Sequence, residues 1–174
     1  MFGCSLSGSF LPVQLIYQGT TQRFLSKNTI FPAGWHITCT ANHWANESTS
    51  IAYIKNIIIP YVTKERAWLD LSTNHSALVL FDVFKGRYTP EVLKLLEDNH
   101  ILYVTIPNNC TDKLQPLDLS VNKPAKDFLR ARFHEWYGDQ ICKQLDDGIT
   151  EADDVRLSIL KLLAAQWMID FTHI

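Results

Sequence analysis

Residues 77–86 read ALVLFDVFKG: five apolar residues run into Asp82, and the chain turns at Gly86. A short apolar run bounded by turn signals reads as a core strand, and carboxylates are among the groups least often buried without a partner. Asp82 at such a strand end has two readings. It caps a turn, or it is one member of an acidic site completed from elsewhere in the chain.

Working outward, the flanking segments alternate between strand and helix. Thr89-Pro90-Glu91 joins a cap, a proline at the first helical position and an acid for the dipole, so a helix starts there and ends near Asn99. ILYVTIP, residues 101–107, reads as a further buried strand. Upstream, Asn46-Glu47 opens a helix in which Ile51, Ile54, Ile58 and Tyr61 keep helical spacing, with Pro60 near its end. HITCTA, residues 36–41, suits a short strand, and residues 20–35 are irregular. The chain opens on a hairpin: Phe2 to Leu6, a Ser7-Gly8-Ser9 turn, then Leu11 to Tyr17. Behind the middle section come two helices. The first is amphipathic, marked by Ala125, Phe128, Leu129, Arg132, Phe133 and Trp136, with Pro124 early and Gly138 at its stop. The last runs from about Asp153, and the acids around Gly148 form a solvated link between the two. These elements predict an α/β domain with one mixed sheet over residues 1–138, and a helical extension over 139–174 packed on it.

Composition narrows the function classes. A net charge of −2 gives no bulk attraction to nucleic acid or membrane, so any such partner needs a local patch. No apolar run approaches the roughly 20 residues of a membrane span. Four cysteines at 4, 39, 110 and 142 show no zinc spacing and read as reduced core thiols of an intracellular protein. No glycine-rich phosphate loop and no Ser/His/Asp arrangement is legible.

Functional groups in open α/β sheets collect beyond the carboxyl ends of strands. Asp82 sits at one such end, and the strand ending at Pro107 delivers Asp112 and Asp118. Clustered carboxylates repel unless a cation or proton relieves them, and Mg²⁺ with its oxygen ligands fits that role. Asp112 also reads as a loop cap. Lys113, Lys123, Lys126, Arg130 and Arg132 form a basic patch suited to DNA phosphates or, with Asp127 and Glu135 interleaved, a solvated helix face. His43-Trp44 reads as loop packing or as a base-stacking pair.

LPVQLIYQGTT, ALVLFDVFKGR and LLEDNHILYVTIPNNCTDKLQPLDLSVNKPAKDFLRARFHEWY together resemble the DDE-type endonuclease domain of mariner-superfamily transposases, in the pogo, Tigger and jerky-like group. The resemblance implies an RNase H-like fold, a nuclear location, DNA as partner and three acids holding two Mg²⁺ (or Mn²⁺) ions. It makes Asp82 the second acid and Asp118, of LQPLD, the third. The family's first acid lies on a strand upstream of the opening hairpin, so the expected domain lacks its first strand. Neither Asp70 nor Glu47 replaces that acid, Glu47 being a helix-start residue. The expectation is a transposase-derived, DNA-binding domain, catalytically impaired. The exposed strand edge then invites a homo-oligomer or a strand-donating partner. The rivals are an active nuclease completed by another chain and a protein-interaction module without DNA activity.

Overall fold

The computed structural model describes residues 1–21, 29–82, 88–106, 117–148 and 157–172, without the side chains of 118, 119, 157 and 158. It divides into two compact units: Met1–Leu25 with Pro32–Leu119, and Ser26–Phe31 with Ser120–Ile174.

In the first unit the opening residues fold back on themselves. Cys4 and Phe10 form an antiparallel bridge, Leu11 N–H donates to Gly3 O, and Gln14 N–H donates to Met1 O. Gly8 makes the turn with φ 89°, a value that glycine adopts without strain. Pro12 brings no N–H to this ladder, which remains a bridge rather than a full strand pair. The second arm continues as β1 (Gln14–Gln18), which pairs in parallel with β2 (His36–Thr40). A second parallel pair joins β3 (Ala77–Phe81) to β4 (Ile101–Thr105). The α/β class expected from alternation is therefore present. The single mixed sheet is not: among the described residues there are two separate two-stranded parallel sheets.

Helices cover one side of the β3–β4 pair. α1 (Glu47–Tyr53) starts at a capping box in which Asn46 Oδ1 accepts from Thr49 N–H and Thr49 Oγ1 accepts from Asn46 N–H. It passes through a π-helical turn (Ile54–Ile58) into α2 (Ile59–Trp68). The helix thus runs well beyond Pro60, where an end was expected. The reason lies just ahead of the proline, where Ile59 N–H bonds Ile54 O, one residue further back than in an α-helix. That shift accommodates a residue that cannot donate. α3 (Pro90–Asp98) is capped by Thr89, whose hydroxyl accepts from Val92 N–H, as its sequence indicates. The core joins Tyr53, Ile54, Ile57 and Ile58 to Val92 and Leu96 of α3 and to Phe81 and Ile101 of the sheet.

The parallel register sets Leu78 beside Leu102 and Leu80 beside Val104. Alternation puts these four on one face and Ala77, Val79, Phe81 and Ile101 on the other. Only the second face meets the helices. Leu78, Leu80, Leu102 and Val104 remain 63%, 52%, 60% and 47% exposed, so neither run is the fully buried strand its composition indicates.

The second unit contains a π-helical turn (Asp118–Asn122, whose first two residues belong to the first unit), then α4 (Lys123–Asp146) and α5 (Leu157–Thr172). Phe128 of α4 meets Phe171 of α5 with ring centroids 5.6 Å apart. α4 does not stop at Gly138. One interior glycine costs about 1 kcal/mol, which a helix of 24 residues absorbs, and the stop falls instead at Gly148, with φ 75° just past the last turn. Asp112, Cys110, Gly86, Glu151 and the helix start expected at Asp153 lie outside the described residues. Cys142 is exposed rather than in a core; Cys4 and Cys39 are half-buried, and all three are free thiols. No helix among the described residues is long and apolar enough to cross a membrane.

Candidate functional site

The carboxyl end of the β3–β4 pair is built by register. Ala77 N–H donates to His100 O at one end of the ladder, and Ile106 N–H donates to Phe81 O at the other. Both strands therefore run out together, and Asp82 is the first residue beyond β3. At the opposite end, Arg66 of α2 donates to His75 O at 2.8 Å and to Asn99 O and His100 O at 3.1 Å each. This clamp fixes where both strands begin, and hence where Asp82 emerges.

Asp82 is half-buried, and its backbone carbonyl accepts from the Tyr88 hydroxyl at 3.3 Å, which ties the strand end to the residue just before the Thr89 cap. Asp118 opens the π-helical turn that leads into α4. Asp82 thus stands just past a strand and Asp118 at the start of a helical turn. Among the described residues no three His, Cys, Asp or Glu side chains gather as a metal cluster.

Glu47 occupies the first turn of α1, as expected, and Asp70 takes a left-handed φ of 55° just after α2. Lys123, Lys126 and Arg130 are exposed and follow one another at intervals of three and four, which places them along one face of α4. Arg130 shares its charge with Asp127 at 3.0 Å, and Arg132 bonds Glu135 at 3.0 Å while its guanidinium lies 5.3 Å from the Phe128 ring centroid. Lys113 lies outside the described residues.

Sequence reasoning passed over the polar side of the first unit. Gln14 is fully buried, and its Nε2 donates to Thr49 O at 2.9 Å and to His36 Nδ1 at 3.0 Å. One amide thereby joins β1, β2 and α1. Burial lowers the pKa of His36 from its usual 6.5 and raises that of Tyr17 above 10.0. A glutamine between apolar neighbours in PVQLIY was the available signal.

The first unit thus places an aspartate just past an apolar strand, and a second acid opens a later helical turn. The family model for the DDE superfamily endonuclease matches residues 1–169, and the chain belongs to that superfamily. It is similar to two proteins called "Pogo transposable element with KRAB domain". The Homo sapiens protein is 27% identical over 136 residues, covering 78% of this chain and 20% of that protein. The Mus musculus protein is 26% identical over 136 residues, covering 78% of this chain and 21% of that protein. The chain thus spans about a fifth of the length of these curated relatives. No solved structure matches.

Proposed function

We propose that this chain is a transposase-derived, RNase H-like domain that binds DNA, with Asp82 and Asp118 as two carboxylate ligands for Mg²⁺ or Mn²⁺. The observation that carries the reading is Asp82, the first residue past a core strand whose end is fixed by the β3–β4 register, in a chain of the DDE superfamily. A bound divalent ion there supplies Lewis-acid polarisation of a phosphoryl oxygen. Asp82 and Asp118 would hold that ion, and the face carrying Lys123, Lys126 and Arg130 would contact phosphates. These 174 residues offer two of the family's three acids, so on their own they hold metal weakly and cleave poorly. The body of the nuclease comprises residues 1–138, with 139–174 as a helical extension, and the protein works in the nucleus.

Calorimetry with Mg²⁺ and Mn²⁺, paired with plasmid nicking, tests this. Weak metal binding should be abolished by Asp82→Asn and by Asp118→Asn, with little nicking by the parent chain. Robust nicking that disappears in Asp82→Ala would overturn the impairment and favour a site completed by another chain. A second reading, a protein-interaction module, is favoured by the open apolar face of Leu78, Leu80, Leu102 and Val104. DNA binding that weakens with salt, and disappears when Lys123, Lys126 and Arg130 are reversed to glutamate, would count against it.

A further inference from the structure

The loop between β2 and α1 holds an aromatic side chain outward. Trp44 is 64% exposed, although tryptophan is on average highly buried. Its backbone is fixed on both sides. The Thr40 hydroxyl donates to Trp44 O at 3.0 Å, and Trp44 N–H donates to Asn42 Oδ1 at 3.3 Å. Thr40 O in turn accepts from Gly19 N–H at 2.9 Å and from His43 N–H at 3.3 Å, anchoring the loop to the end of β1. Downstream, the Asn46–Thr49 capping box fixes the entry to α1. His43 adopts a left-handed φ of 57°, a conformation uncommon for a residue with a side chain, and its ring stacks on the indole at 5.7 Å and 26°.

A large aromatic surface kept in water, on a tethered backbone and backed by a second ring, is preorganised for a flat partner. We propose that Trp44, braced by His43, is a stacking platform for an unpaired nucleobase of the DNA. The proposal rests on the DNA-binding reading and adds the part of the substrate that is held: a base outside the duplex stack. Every base presents a π-face, so the contact is indifferent to sequence. Trp68 makes the contrast. It is 76% exposed, but it stands at the end of α2 next in sequence to exposed Leu69 and close to exposed Leu71, and among the described residues no ring is recorded against it.

The test uses the whole chain, a labelled oligothymidylate and a blunt duplex of equal length. Trp44→Ala should weaken oligothymidylate binding roughly 5- to 150-fold, the range for one base stacked on one ring, with the salt dependence unchanged. Trp44→Phe should recover most of the loss, while Trp68→Ala and duplex binding should match the parent. Independently, deoxyadenosine monophosphate should shift the indole N–H resonance that Trp44→Ala removes. Unchanged binding by Trp44→Ala, or an equal loss on both DNAs, overturns the platform; sensitivity to Lys126→Glu and Arg130→Glu would then leave DNA binding standing. A nucleotide shift in a chain that binds neither DNA keeps the platform and overturns the DNA reading. Absence of both overturns the two together.

Discussion

The β1–β2 and β3–β4 pairs are alike in length and in parallel pairing, yet different forces hold them. β1 and β2 meet α1 through a buried amide: Gln14 donates to His36 and Thr49. β3 and β4 contain no charged residue and share a core with α1, the π turn and α3 through Phe81, Ile101, Tyr53, Ile54, Ile57 and Leu96. The first arrangement is directional and fails when one donor is lost. The second is a sum of many small contacts and fails in proportion to the volume removed. It also leaves the other face of β3–β4 open, because nothing in apolar packing requires both faces of a two-stranded sheet to be covered by the same helices.

The largest effect should come from the apolar pair. Leu96→Ala, at a fully buried position, should destabilise by about 2–5 kcal/mol in denaturant unfolding, while Leu78→Ala on the open face should cost under about 1 kcal/mol. Equal losses would mean that the open face is covered in solution. Gln14→Ala sharpens the polar side. It strips one buried and one half-buried acceptor of their donor and should cost about 1–3 kcal/mol, without the proportionality to volume expected of the leucine series. The smallest effect is the pH response of His36. Burial lowers its folded-state pKa below the unfolded value of 6.5, so below pH 6.5 the unfolded chain binds the extra proton. Stability should therefore be full above pH 6.5 and decline as pH falls from there towards the folded-state pKa, where the loss levels off. Protonated Nδ1 would also face the Gln14 amide donor. The difference between parent and His36→Phe unfolding midpoints across that range isolates this residue from the other histidines.

Much of this architecture could be read locally. Asn46 and Thr89 announce their helices because a side-chain acceptor must meet a free amide at that point, and both do so here. Gly8 and Gly148 mark turns because they take positive φ. Asp82 was legible as the residue just past an apolar strand; its reading as a metal ligand rather than a turn cap came from the family resemblance and not from the run itself. Two helix ends were misread for a shared reason. Pro60 and Gly138 are breakers only by propensity, and a π turn in one case and the length of a 24-residue helix in the other outweigh a preference of about 1–3 kcal/mol. Trp44 could not be assigned between packing and exposure, since an aromatic beside a helix start serves either.

What the sequence determined alone is therefore most of the elements, the caps at Asn46 and Thr89 and the position of Asp82 at a strand end, since each depends on residues a few places apart. What the tertiary structure decided is which surfaces those elements hide. ALVLF is apolar on both parities, so its composition carries no preference for a face. Burial came from Ile54, Val92 and Leu96, which lie up to a few tens of residues away, and they reach only one side. The same dependence on distant neighbours leaves Trp44 in water, where Gly19 and Thr40 anchor its loop.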